Sequence, residues 1–216
     1  MNKSIYERRY YAFEIRAEQN DDDVGIVTGR PIVYDSKTDL GDWFEIIDRG
    51  ALKGADLKDV RFLVNHNTDM IPLARSRNNN ANSTMQLTVD DDGLAIRVNL
   101  DVENNSDAKS LYSAIRRGDI SGMSFMFRVD GEAWEDLDSE KPLRRITSIS
   151  NVIEVSAVTF PAYDATTITA RNKDALDNAR AALESAKQAH REKLESEQRD
   201  ALELEKAKSI FYLSVK

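Results

Sequence analysis

No glycine, proline or tryptophan occurs beyond about residue 170, and this break constrains the fold more than any other feature of the chain. Before it, turn-forming residues punctuate short alternating segments, the pattern of strands. After it, DALDNARAALESAKQAHREKLESEQRDALELEKAKS is rich in Ala, Glu, Lys, Leu and Arg, residues with high helix propensity. The 216 residues therefore divide into residues 1–170, one domain of ordinary size, and residues 171–216, a helical tail.

In the first part, alternation and turn chemistry predict strands at Tyr10–Ile15, Gly25–Tyr34, Trp43–Ile47 and Val60–Asn65. Met85–Val89 and Leu94–Leu100 flank the turn DDDG and read as a β-hairpin. Asp107–Arg117 opens on an acid, closes on basic residues and precedes Gly118, which predicts a helix with a glycine stop. Further strands are expected at Ser121–Val129, Arg144–Ile149 and Asn151–Phe160. Many short strands with one or two helices imply an α+β domain built on a mainly antiparallel, barrel-like sheet, followed by a long charged C-terminal helix. In the tail, Leu176, Ala179, Leu183, Ala186, Leu194, Ala201 and Leu204 fall on one helical face, although charged residues interrupt any strict heptad. Such a helix is a solvated surface element or a coiled-coil arm, and marginal stability alone favours a partner. The abruptly apolar IFYLSVK reads as a docking peptide or the remnant of a longer tail.

Charge and composition exclude several classes of function. The net charge of −8 argues against nucleic acid as a partner, and the pairs Arg8-Arg9, Arg116-Arg117 and Arg144-Arg145 each have acidic neighbours, which points to surface solvation. No apolar run is long enough for a membrane span, and no secretory signal is visible. Absent cysteine excludes disulfides, thiol catalysis and Cys-ligated metal, and two histidines make a multi-histidine metal site a poor expectation. No cofactor is implied.

Hydrolytic chemistry at neutral pH needs an activated nucleophile, a base and oxyanion donors. His190 lies in AKQAHREK on the polar helix and reads as solvated, whereas His66 ends the apolar run VRFLV where a strand exits into a loop. A lone strand-end histidine is as readily structural. GDISGMSFMF sets Ser121 and Ser124 at a strand entry after a glycine-punctuated turn, but it lacks the glycine spacing of the G-x-S-x-G elbow, and either serine has a bland turn or strand explanation. Glu154, among Val152, Ile153, Val155 and Val158, is a carboxylate that orients a histidine if buried, or an outward-facing strand residue if not; Asp69, in the loop after His66, is the weaker candidate.

Taken together, RFLVNHNTDMIPLARS, AIRRGDISGMSFMF and VIEVSAVTFPAYDAT resemble the prohead proteases of tailed bacteriophages, serine peptidases related in fold to herpesvirus assemblins. IVTGRPIVYDS and FEIIDRGALK are also similar to that family, and the resemblance spans about residues 10–170 in the same order. It implies His66 as base, Ser124 rather than Ser121 as nucleophile, and Glu154 as the third member. Met126 stands where the family usually has glycine, a departure that bears on the substrate channel. Oxyanion donors are expected to be main-chain N–H groups, with Arg75 of PLARS a nearby helper. The implied function is cleavage of the scaffolding segment of the major capsid protein, and of the protease itself, inside the assembling prohead in the host cytoplasm. Implied partners are that capsid protein, its scaffolding segment and a second copy of the chain. Two rivals are a non-enzymatic capsid-assembly protein on a degenerate protease domain, and an unrelated esterase sharing the Ser-His pair.

Overall fold

The computed structural model describes residues 6–11, 15–17, 25–160 and 173–214, with the side chains of residues 10, 11, 173–175 and 211–214 excepted. These form eleven strands and two helices. In chain order they are β1 (Glu7–Tyr11), β2 (Ile15–Ala17), β3 (Ile26–Val33), β4 (Thr38–Asp39), β5 (Phe44–Ile47), β6 (Arg61–Val64), β7 (Ala74–Arg75), β8 (Met85–Asp90), β9 (Gly93–Asn99), α1 (Ser106–Arg117), β10 (Gly122–Glu135), β11 (Leu143–Val158) and α2 (Lys173–Ser214).

Strands pair into a seven-stranded sheet, β1-β10-β11-β5-β4 with β6 and β7 joined alongside β11, and a four-stranded sheet, β2-β3-β9-β8. The expected α+β class holds, but no closed barrel is found among the described residues. Most pairings are antiparallel, yet β11 pairs in parallel with both β5 and β6. That is possible because β11 is one 16-residue strand, where the sequence suggested two. Its long antiparallel ladder with β10 absorbs register shifts on the way, so the polar Ser150-Asn151 step bends the strand without ending it. Conversely, the single strand expected at Tyr10–Ile15 is split: β1 joins one sheet and β2 the other.

Local chemistry accounts for the elements that matched. The β8–β9 hairpin closes at Gly93, whose φ of 137° and close approach to the Ile32 carbonyl leave no room for a side chain. Asn105 caps α1 by accepting from the Asp107 and Ala108 N–H groups, and Gly118 ends it in the left-handed region. The amphipathic α1 buries Ala108, Leu111, Tyr112 and Ile115 in a core that both sheets share through Val27, Ile32, Phe62, Met85, Phe125, Phe127 and Val155.

The long helix α2 covers most of the expected tail. Its first turns bury Leu176, Ala179 and Leu183 against Leu40 and Trp43, with Trp134 and Leu137 alongside. Leu194 and Leu204, on the same expected face, are exposed. The side chains of the terminal IFYLSVK, Ile210 apart, lie outside the described residues.

Candidate active site

The nucleophile candidate owes its place to β10. Strand alternation puts Ser124 and Met126 on one face of the sheet and Phe125 and Phe127 in the core. On the neighbouring β11, Ser156 lies opposite Ser124 and Glu154 opposite Met126, so three polar residues share that face. The chain of β6 ends at Val64, and the next two residues turn sharply: Asn65 and His66 both have positive φ, 53° and 57°. Such backbone costs about 1–3 kcal/mol per non-glycine residue and persists only when its surroundings enforce it. Here they do. The Asn65 N–H donates to the Ala157 carbonyl (2.9 Å). Its side-chain amide donates to Thr159 Oγ1 (2.9 Å), and its amide oxygen accepts from the Thr159 N–H (3.0 Å). The turn delivers the His66 ring to the face that carries Ser124 and Glu154.

The three residues singled out in the sequence meet there. His66 Nε2 lies 2.5 Å from Ser124 Oγ, and its Nδ1 hydrogen-bonds Glu154 Oε1. All are buried, with Ser124 fully so. Ser156 completes the arrangement: its hydroxyl donates to Glu154 Oε2 (2.6 Å) and its oxygen accepts the His66 main-chain N–H (3.1 Å).

Donor and acceptor roles follow from this chain. A main-chain N–H can only donate, so the Ser156 proton is directed to Glu154, and both carboxylate oxygens are then acceptors, Oε2 from Ser156 and Oε1 from Nδ1. An imidazole proton therefore sits on Nδ1, and in the neutral ring the Nε2 lone pair then faces Ser124. A hydroxyl beside a free imidazole lone pair, with the far side of the ring held by a carboxylate, is an arrangement competent for nucleophilic attack on a carbonyl. Ser124 has a second acceptor, because its Oγ also lies 2.5 Å from the Arg9 carbonyl of β1.

The other candidates are elsewhere. Asp69 and Ser121 are exposed. His190 meets Asp138 on α2 at 3.0 Å. Arg75, expected near the site, is held by Asp59 through two hydrogen bonds of 2.6 and 2.9 Å. Met126 packs beside the site at 9% exposure. Among the described residues, no group of three histidine or carboxylate residues is placed to hold a metal ion.

Sequence reasoning missed two things. Ser156 is not among the serines singled out in the sequence, although its i+2 spacing from Glu154 puts both on one face. The larger correction concerns the arginine pairs. Arg116 and Arg117 are exposed, as expected, but Arg9 and Arg144 are 1% and 2% exposed. On the core side of the same strands, Arg9 donates to both oxygens of the fully buried Glu45 and to Glu7, while Arg144 bridges Glu7, Glu45 and Glu132. Burial pushes the Glu7 carboxyl up, but Arg9 and Arg144 together hold it down at about 2. Burial likewise opposes the Arg144 charge, and the Glu7 hydrogen bond with the Glu45 charge raises its proton affinity above the usual arginine range. Of the acidic neighbours read as surface solvation, Glu7 is instead a buried partner of both arginines.

The family model of the caudovirus prohead serine proteases matches residues 11–180. The chain belongs to that family. No curated protein and no solved structure matches it. The match runs through β2 to β11, with every residue of the candidate site, and reaches the first turns of α2. No helix among the described residues of this family member is long and apolar enough to cross a membrane.

Proposed function

We propose that the chain is the maturation protease of a tailed-phage prohead, a serine endopeptidase that cuts the scaffolding segment from the major capsid protein and then cuts itself. The observation that carries this reading is the buried hydrogen-bonded line Glu154–His66–Ser124 in a chain of this family. His66 Nε2 takes the Ser124 proton as Oγ attacks the scissile carbonyl carbon, and the tetrahedral adduct collapses as the imidazolium gives that proton to the departing amine. Water, deprotonated by the same ring, then releases the acyl group. Glu154 keeps the proton of the resting ring on Nδ1 and offsets the imidazolium charge, and Ser156 holds the carboxylate and the His66 backbone in place.

In this reading residues 1–170 are the catalytic unit. Residues 171–216 contact the scaffold, favour self-association or serve as the autoprocessing segment, all within the prohead assembling in the host cytoplasm. The test is co-expression with the major capsid protein, read by intact mass for the wild type and for Ser124→Ala. Shortening of the capsid protein by the wild type alone is expected. Full-length chains in both cases favour the non-enzymatic assembly role instead.

A further inference from the structure

The nucleophile is not open to substrate as the chain stands. Ser124 is fully buried, and the group seated on its Oγ is a peptide carbonyl, that of Arg9 at 2.5 Å. β1 lies antiparallel to β10 with Tyr10 opposite Ser124, in the position an extended peptide takes when it adds to a sheet edge. It is a five-residue strand at the border of the seven-stranded sheet, so its departure breaks no other strand pairing. Alternation turns the Arg9 side chain away from the catalytic face and into the core side, over the Phe127 ring at 5.6 Å and onto Glu45. A peptide bound there would set one carbonyl against the serine hydroxyl and turn the side chain of the same residue to the opposite face of the sheet.

We propose that β1 stands in the place of substrate, and that the slot it fills accepts an extended peptide with arginine immediately before the scissile bond, recognised by Glu45. Charge supports the assignment. When β1 leaves, it takes Glu7 and Arg9 with it, and two carboxylates, Glu45 and Glu132, face one guanidinium, Arg144. Glu45, fully buried while β1 is in place, then keeps Arg144 on one oxygen and loses the guanidinium clasping both. Two carboxylates sharing one guanidinium are under-compensated, so an entering strand that restores a second guanidinium is favoured over one that brings an apolar or acidic side chain. The two-pronged contact also selects arginine over lysine, whose ammonium cannot bridge both oxygens in the same plane.

This inference rests on the serine protease reading, and the experiment separates the two. The probes are peptidyl diphenyl phosphonates of identical sequence, differing only in the residue that carries the phosphorus: arginine-like, lysine-like, leucine-like or glutamate-like. Each phosphonylates a competent serine oxygen with loss of phenoxide, and mass spectrometry of the Ser124 peptide gives the rate. The arginine probe is expected to label Ser124 at least about tenfold faster than the leucine probe, the scale of one charge-assisted contact, with lysine between them. Arg9→Gln loosens the stand-in and raises the rate with every probe while keeping the order. Glu45→Gln collapses the order. Should that variant fail to fold, the wild-type order decides. Labelling by all four probes at equal rates, or fastest by leucine or glutamate, overturns the arginine assignment and leaves the protease standing. Labelling by none, in wild type and Arg9→Gln alike, overturns both.

Discussion

Two buried polar clusters sit back to back on the β1–β10–β11 strands, and they are built on opposite principles. On the core side, Glu7, Glu45 and Glu132 alternate with Arg9 and Arg144, so each charge has an opposite charge in contact. On the other side, the Glu154 carboxylate is held by an imidazole N–H and a hydroxyl, with no permanently charged guanidinium among these partners. The first cluster fixes strands in place, because no single member can leave without exposing an unpaired charge to the interior. The second holds its carboxylate only by hydrogen bonds, so a proton moving onto His66 creates the opposite charge that Glu154 lacks at rest. One arrangement resists change and the other is poised for it. Arg9 belongs to both, through its guanidinium on one side and its carbonyl on the other.

Substitutions that remove one member from each cluster should break this contrast in different observables. Glu154→Gln preserves shape but exchanges an acceptor for a donor, and should cut kcat/KM by about 10⁴-fold, measured on a peptide substrate, with the thermal midpoint little changed. Glu45→Ala should act on the fold: two buried guanidinium groups lose a partner, and stability in urea should fall by about 3–5 kcal/mol. Unchanged stability in Glu45→Ala, or a matching loss of stability in Glu154→Gln, would erase the distinction.

A finer test is Ser156→Ala, which leaves Glu154 Oε2 without its donor and frees the His66 main-chain N–H. A loss of about 10- to 100-fold in kcat/KM is expected, the scale of a buried hydrogen bond to a charged group. Ser156→Thr, which keeps the hydroxyl, should restore the activity.

The core-side cluster has a pH signature of its own. Glu7 is depressed from 4.5 to about 2, so its contribution to folding is fully present above about pH 4.5 and is lost as pH falls toward 2. Urea midpoints measured across that interval should fall, and Glu7→Gln should flatten the decline. The smallest effect is expected from His190→Ala, whose partner Asp138 is exposed: activity should stay within about twofold of wild type and stability within about 0.5 kcal/mol.

Much of this protein is written locally in the chain. The β8–β9 hairpin follows from DDDG, α1 from its Asn105 cap and Gly118 stop, and α2 from composition, because each depends on residues within a few positions of one another. His66 and Ser124 were also legible, through a strand exit, a glycine-marked strand entry and the motifs around them. Tertiary structure decided the rest. No spacing rule could show that Ser156, 90 positions away, closes the hydrogen-bond line on His66. Nor could any show that Arg9 and Arg144 are interior residues, since Glu45, which both contact, lies on β5 and reaches them only through sheet register, as Glu7 reaches Arg144. Burial of a charge depends on what lies across the sheet, and that is set by strand order, which the local sequence does not encode.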